Sequence, residues 1–290
     1  MGQDRADVER RMQKLFRDQH ALILASQAIG CGMTYNGLAR ETAAARLDHY
    51  VHGLYRDPRQ PRTHHQRVMA AVLVHRDEAL ASSTTAAWLY GVDGYRPGRV
   101  VLAVERGGHH YNPLAKVQQI AGLTARDRRR VAGIPCLSPE LTLLTLAARP
   151  HCTYDSLETD LVDMACKGLV TTASTLACLD RFAASGRNGA ALLRSVVGAW
   201  DGCRLPGSPK ELELGRLLAA HGEEVVYQFP VEVSGGVTLH ADLGVPARSV
   251  LVEYQSDEHH STRKARRNDA RRALLMRAAG FEVLPATQDD

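Results

Sequence analysis

The hydrophobic pattern after Ser208 restricts the fold of this chain more than any other feature. Ser208-Pro209 opens a stretch with leucines on one side of a helix, which ends before Gly222. Three runs with strand character, a long helix and a last strand follow at residues 225–233, 238–244, 249–254, 262–279 and 281–286. Gly235-Gly236 joins the first two strands as a hairpin. The predicted order is therefore α-β-β-β-α-β.

Three acidic residues accompany these elements. Asp242 stands inside a strand, where aspartate is disfavoured, and Glu253 ends a buried-strand run, where a carboxylate without a partner is costly. If the two strands pair around residues 245–248, the two carboxylates face each other. Glu211, in the first turn of the preceding helix, can approach the same place, but it also completes a capping box with Ser208. A purely structural role for Glu211, and an ordinary salt bridge for the other two, stay open.

Clustered carboxylates that hold Mg²⁺ (or Mn²⁺) supply what phosphodiester hydrolysis needs, an activated water and relief of phosphate charge. We therefore expect Asp242 and Glu253 to bind the metal. The expected catalytic residues are Glu211, Asp242, Glu253, Gln255 and His260. Gln255 can orient a water but supplies no positive charge. His260 is a candidate general base, with a solvated loop histidine as the alternative.

The helix over residues 262–279 carries seven basic residues and one acid, Asp269. That imbalance favours contact with the phosphate backbone of DNA over a merely solvated helix face. The residues expected to bind DNA here are Arg263, Lys264, Arg267 and Arg271.

The N-terminal segment, residues 1–62, reads as helix, strand, helix, turn, helix and hairpin. This order predicts a small winged helix-turn-helix, in which Thr34 caps the second helix of the motif. Asn36 and Arg40 on that helix and Arg46 at its end are the expected DNA contacts. The alternative for Arg40 is a solvated surface residue.

Composition limits the class of protein without choosing the function. The chain is 44% hydrophobic and 23% charged, as in ordinary globular proteins, and its net charge of +4 permits binding to nucleic acid. Six cysteines without a Cys-x-x-Cys pair indicate reduced core residues. No apolar run approaches the ~20 residues of a bilayer span, and no secretory signal is visible. We expect a cytoplasmic α/β (α+β) protein with a mixed, mostly helical middle domain at residues 63–204 and a third domain at 205–290.

Two family resemblances cover most of the chain. Residues 208–290 resemble a bacterial domain related to very-short-patch-repair (Vsr-like) endonucleases of the PD-(D/E)XK superfamily. The segments that carry this resemblance are Ser208-Pro209-Lys210-Glu211, His240-Ala241-Asp242, Val252-Glu253-Tyr254-Gln255-Ser256, His259-His260, and Asn268-Asp269-Ala270-Arg271-Arg272. It implies a restriction-endonuclease-like fold, an acidic triad at Glu211, Asp242 and Glu253, and an ion pair or phosphate contacts for Asp269 and Arg272. Gln255-Ser256 stands where members often carry Asp-Gly.

Residues 18–200 resemble the AbiEi antitoxin family. The segments that carry this second resemblance are Ser26-Gln27-Ala28, Gly53-Leu54-Tyr55-Arg56, Ala81-Ser82-Ser83-Thr84-Thr85-Ala86-Ala87-Trp88-Leu89-Tyr90-Gly91 and Gly168-Leu169-Val170-Thr171. Two functions follow as hypotheses. The first is a DNA-binding protein with a metal-dependent DNA endonuclease domain. The alternative is an antitoxin-type transcriptional regulator, with a cognate toxin protein as partner, whose nuclease fold is inactive.

Overall fold

A computed structural model describes residues 2–75, 79–107, 111–182, 187–254 and 263–287, with side chains described for all of these except 2–5 and 263–266. The chain divides into two compact units. Unit 1 comprises residues 1–152 and 177–190, and unit 2 comprises residues 153–176 and 191–290. Helices and several sheets occur together, which confirms the α+β class.

Unit 1 begins with three helices and a small sheet. These elements are α1 (Gly2–Asp18), β1 (Leu22–Leu24), α2 (Ala25–Gly30), α3 (Tyr35–Ala43), β2 (Asp48–Val51) and β3 (Leu54–Arg56). The sheet has the order β1-β3-β2, and both pairings are antiparallel. Its helices close over a core that includes Phe16, Ile23 and Leu38. The predicted cap of α3 is confirmed, because Thr34 Oγ1 accepts a hydrogen bond from the Gly37 N–H at 3.0 Å.

The rest of unit 1 is built around a larger sheet. Its elements are α4 (His64–Val74), β4 (Leu80–Ala81), α5 (Ser83–Leu89), β5 (Val100–Glu105), β6 (Ala115–Ile120), β7 (Arg128–Val131), β8 (Ile134–Leu137) and α6 (Pro139–Ala147). The five strands lie in the order β6-β5-β4-β8-β7. A buried cluster around Val68, Leu102 and Ile134 joins α4 to this sheet.

Over residues 63–204 helices outweigh strands, as the expected mixed, mostly helical character requires, but two local predictions differ from the structure. The pattern over residues 79–90 predicts one helix, but this segment contains the short strand β4 before α5. For the basic cluster at 126–130 the sequence allows a second basic patch or a solvated helix; the structure has a 3-10 turn followed by β7, so the helix alternative is wrong. β4 is too short and β7 too polar for a period to be visible, and these strands form by pairing with β5 and β8.

Three helices connect this region to the C-terminal sheet: α7 (Tyr154–Cys166), α8 (Thr172–Phe182) and α9 (Ala190–Ala199). In unit 2, Glu158 on α7 is buried and accepts a hydrogen bond from Trp200 Nε1 at 2.9 Å, and Arg216 forms an ion pair with it. The buried carboxylate is therefore satisfied. All six cysteines are free.

Unit 2 ends in α10 (Pro209–Ala220), β9 (Val226–Val233), β10 (Val237–Val245), β11 (Val250–Tyr254), α11 (Arg263–Ala278) and β12 (Glu282–Ala286). The sheet order is β12-β11-β10-β9, antiparallel except for the parallel pair β11–β12. Leu214 and Leu218 of α10 pack in one apolar cluster of this sheet, and Ala273 and Met276 of α11 pack in another. In the described part of the chain, no helix combines the length and the apolar character that crossing a membrane requires.

Candidate nucleic-acid interface and carboxylate site

The outer side of α3 is the first candidate site. Gly37 and Leu38 are buried against the core of unit 1, whereas Asn36 and Arg40 are exposed and Tyr35 is 73% exposed. Asn36 and Arg40 are four residues apart, so they share one side of the helix. The first turns of α3 therefore present a polar and aromatic surface to solvent.

Arg46, also expected to bind DNA, is engaged within the protein. Its Nε donates to Glu41 Oε2 at 2.6 Å and its Nη2 to Glu41 Oε1 at 2.9 Å. The hydrogen bond and the charge of Glu41 raise the pKa of Arg46. A guanidinium held in a two-point ion pair offers less free charge to a phosphate than Arg40 does.

Arg56, in β3, links the β2–β3 hairpin to the segment that follows it. Arg56 is buried, lies 3.2 Å from Asp48 Oδ2 and donates to the Gln60 carbonyl at 2.5 Å. His49 is exposed and contacts the Tyr55 ring, with ring centroids 4.5 Å apart and the planes tilted by 40°. These contacts join the two strands of the hairpin to each other and to the segment that follows it.

The second candidate site is the pair Asp242 and Glu253 in unit 2. The ladder between β10 and β11 pairs Leu243 with Val252, so the next step along both strands sets Asp242 opposite Glu253. The Tyr254 N–H donates to Asp242 Oδ2 at 2.8 Å. Arg272 of α11 donates to the His240 carbonyl at 2.8 Å and lies 3.3 Å from Glu253 Oε1. The structure therefore brings the two predicted metal ligands together and gives Arg272 an ion pair with one of them.

An irregularity in the sheet accompanies this pair. The ladder between β10 and β9 runs from Val237 to Gly244, and in this described stretch Asp242 is the one position without a ladder partner. The residue opposite, Gln228, has a φ of +50°. Irregular strand positions of this kind re-aim side chains and are frequent beside functional sites. Nothing in the sequence around Gln228 predicted an irregular strand position opposite Asp242.

The carboxylate of Glu211 makes several hydrogen bonds at the N-terminus of α10. Its carboxylate accepts hydrogen bonds from the Gly207 N–H at 2.7 Å, from Ser208 Oγ at 3.1 Å and from Gln228 Nε2 at 3.1 Å. The predicted capping contact is present as well, because the Glu211 N–H donates to Ser208 Oγ at 3.2 Å. Glu211 has the structural role that its spacing from Ser208 allowed.

Burial raises the pKa of all three carboxyl groups, and the charge of Asp242 further raises the pKa of the two glutamates. Burial raises the pKa of Asp242. Burial and then the charge of Asp242 raise the pKa of Glu253 to about 7, against the opposing effect of Arg272. The same two causes, in the same order, raise the pKa of Glu211. The charge of Asp242 thus acts on both Glu211 and Glu253.

The fit to a divalent cation is partial. Asp242 and Glu253 supply oxygen ligands whose repulsion a cation relieves. Glu211 is committed to its three hydrogen bonds. Within the described residues, no group of three or more His, Cys, Asp or Glu side chains is arranged to hold a metal ion. Gln255 and His260, the other expected catalytic residues, lie outside the described residues.

The basic helix α11 is described in part. Arg267 and Arg271 are exposed and four residues apart, so they share one side of the helix. Arg263 and Lys264 belong to α11, but their side chains lie outside the described residues. Arg277 donates to the Val283 carbonyl at 3.1 Å. Arg267 and Arg271 therefore face solvent, whereas Arg272 contacts the His240 carbonyl and Glu253 within unit 2.

Comparison with known proteins finds a family match for one segment, whose residues belong partly to unit 1 and partly to unit 2. Residues 79–191 match the family model of the AbiEi antitoxin C-terminal domain. Among solved structures, the crystal structure of the RV2827C protein from Mycobacterium tuberculosis is similar, with 17% identity, a TM-score of 0.46, and coverage of 73% of this chain and 80% of that chain. No curated protein matched significantly. Residues 79–191 are thus an AbiEi-like region.

Proposed function

We propose that this protein is a DNA-binding regulator of the antitoxin type. The match of residues 79–191 to an antitoxin domain supports the class of function. The supporting observation in the structure is the exposed side of α3, which the β2–β3 hairpin follows in the chain. Together, the family match and this exposed helix favour the regulator over the endonuclease that the C-terminal pattern suggests.

The N-terminal elements have the order expected of a winged helix-turn-helix. Helices α2 and α3 are joined by a short turn, and β1 pairs with β3 at the edge of the hairpin. In such motifs the N-terminal residues of the second helix contact base edges in the major groove. Asn36 is suited to adenine and Arg40 to guanine, while the hairpin follows the backbone.

The AbiEi-like region is the proposed contact with a cognate toxin protein. That partner is inferred from the antitoxin family to which residues 79–191 are similar. A regulator of this kind binds DNA through one surface and its partner through another.

The test is fluorescence anisotropy with labelled duplexes taken from the region upstream of the gene, compared with a shuffled duplex. Arg40→Ala is expected to weaken binding to the preferred duplex about tenfold or more, because it removes a base or phosphate contact. Arg46→Ala is expected to have a smaller effect, since Glu41 already neutralises Arg46.

Arg99→Ala is the matched control, because Arg99 is an exposed arginine of unit 1 outside these elements. Equal affinity for all duplexes, or equal losses for Arg40→Ala and Arg99→Ala, would contradict the proposal.

A second candidate function is metal-dependent hydrolysis of DNA in unit 2. The specific observation in its favour is the placement of Asp242 beside Glu253, with Arg272 against them. Asp242 and Glu253 would hold Mg²⁺ (or Mn²⁺), and the bound cation would supply an acidified water and charge relief at the phosphate. Arg272 orients Glu253, and the exposed arginines of α11 hold the DNA strand. Gln255 and His260 are proposed to orient the attacking water.

Plasmid nicking with Mg²⁺ or Mn²⁺ tests this second candidate. Asp242→Ala and Glu253→Ala should each abolish nicking, whereas Glu213→Ala, an exposed acid on α10, should leave it unchanged. Absence of cleavage of duplex, mismatched and single-stranded substrates contradicts hydrolysis. Cleavage that persists in both site variants contradicts the site.

A further inference from the structure

Unit 1 contains a cavity that the DNA-binding proposal does not use. It has a volume of about 520 Å³ and lies between the end of β6, the C-terminal part of α6, the end of α8 and residues 187–188. This volume is within the range of pockets that hold small molecules.

The wall of this cavity is positively charged. Arg106, Arg181 and Arg187 line it, and none of its described lining residues is an aspartate or glutamate. Arg181 is neutralised, because its Nη2 lies 2.7 and 2.9 Å from the two carboxylate oxygens of Asp127. Arg106 and Arg187 have no carboxylate partner among the residues that the structure describes. The cavity therefore carries the charge of two arginines.

Arg187 is partly buried and lies near a second cation, so its charged form is unfavourable without an anion nearby. Burial lowers its pKa, and Arg106 lowers it further. One nitrogen, Nη1, donates to the Phe182 carbonyl at 3.2 Å, and the guanidinium lies over the Phe182 ring at 5.1 Å. A guanidinium has five N–H donors, so most of them stay available to a ligand. An anion in the cavity would offset both the burial and the repulsion.

Gly189, two residues after Arg187, packs closely against the end of α6. Gly189 has a φ of +81°, and a Cβ there would lie 2.5 Å from the Ala148 nitrogen. The backbone at Gly189 thus packs directly on the end of α6, where Ala148 belongs to the cavity wall. This close packing restricts the backbone beside Arg187 and so lowers the ordering cost of binding.

We propose that this cavity binds the phosphate monoester of a small molecule. Arginine forks match phosphate oxygens in pairs, and a dianion balances the charges of Arg106 and Arg187. The remaining volume, lined by Leu144, Phe182 and Asn188, accommodates an organic group beside the phosphate. The proposal is independent of DNA binding by α3.

Isothermal titration of the full chain with inorganic phosphate and with AMP, at constant ionic strength, tests the proposal. Binding at one site per chain is expected. Arg106→Gln and Arg187→Gln should each weaken it about tenfold or more, because each removes a charge-assisted pair. Arg106 is exposed, so Arg106→Gln should fold normally even if Arg187→Gln does not.

Arg99→Gln, an exposed arginine of the same unit outside the cavity wall, should change the affinity by less than about twofold. Tighter binding of AMP than of inorganic phosphate supports a phosphate monoester as the ligand. Four results overturn the proposal: no binding of either probe, binding of inorganic phosphate as tight as that of AMP or tighter, equal losses in the Arg99 and Arg106 variants, or displacement of AMP by a glutamate-rich peptide or a short DNA duplex.

Discussion

At the scale of single residues, Asp242 and Glu253 illustrate how burial changes a carboxyl group. Each follows or interrupts an apolar strand run, and their strands place them side by side. Arg272 compensates the pair only in part, so the pKa of Glu253 still rises to about 7. A carboxyl group with such a pKa is either a source of instability or a site that binds something positive.

Glu253→Gln is expected to stabilise the protein at high pH and to have little effect at low pH. Glu253 has an ordinary pKa of 4.5 and a folded-state pKa of about 7. The folded state therefore binds this proton more tightly, and stability is lost as the pH rises from the first value to the second. The variant removes that loss and should gain about 1–3 kcal/mol at about pH 8.

Urea unfolding at about pH 5 and about pH 8 measures this effect. Glu232→Gln, an exposed glutamate on β9 of the same sheet, is the control. The same stability change at both pH values would show that Glu253 is not the group that titrates.

Gly189→Ala is expected to destabilise unit 1 by at least about 3 kcal/mol, because it adds a steric clash to an unfavourable backbone conformation. A Cβ at Gly189 would lie 2.6 Å from the Ala147 carbonyl carbon. Gly91 has a similar φ of +70°, but a Cβ there would meet nothing within 4 Å, so Gly91→Ala should cost only about 1–2 kcal/mol. Chemical denaturation of both variants separates the clash from the backbone cost. Equal losses would mean that the turn after α8 moves away from α6.

At the scale of elements, the N-terminus of α10 shows one residue with two possible roles. The spacing of Ser208 and Glu211 predicts a cap, and the resemblance to nucleases predicts a site residue. In the structure the carboxylate of Glu211 receives hydrogen bonds from Gly207, Ser208 and Gln228. These contacts organise the loop before α10 and the irregular position of β9.

Ser208→Ala should cost about 1 kcal/mol, the usual value of a lost N-cap. Glu211→Ala should cost more, about 2–3 kcal/mol, because it leaves the Gly207 N–H and the Gln228 amide without their acceptor. Glu213→Ala, exposed on the same helix and paired only with Lys210 at the surface, should change stability by less than about 0.5 kcal/mol. Thermal unfolding of the three variants tests this order, and a neutral Glu211→Ala would contradict the structural role.

At the scale of the whole molecule, the net charge of +4 says little about binding partners, because the distribution of charge on the surface decides which partners bind. Several arginines are neutralised within the protein, such as Arg46 by Glu41 and Arg181 by Asp127. Others are exposed, such as Arg267 and Arg271 on α11. These exposed arginines should control the salt dependence of DNA binding.

Arg271→Gln should reduce the slope of log affinity against log salt by about 1, and Arg267→Gln with Arg271→Gln by about 2, because each phosphate contact releases counterions. Arg248→Gln is the matched control in unit 2, since Glu223 already pairs with Arg248. Anisotropy titrations at several salt concentrations measure the slopes. An unchanged slope in the double variant would exclude α11 from the DNA interface.

The sequence by itself determined the elements whose signals are local. Leucine spacing, the caps at Thr34 and Ser208 and the Gly235-Gly236 turn predicted the helices and strands of the N-terminal and C-terminal regions, because they depend on neighbouring residues. The pairing of Asp242 with Glu253 also followed from a local hairpin.

Only the tertiary structure decided the features that depend on distant partners. The short strand β4 forms by pairing with β5 and β8, and neither its length nor its composition indicated it. Gln228 and Arg272 contact the carboxylates from other elements. Arg106 and Arg187 share a cavity wall although they are far apart in the chain. Such contacts arise from packing between segments, which no periodicity in one segment records.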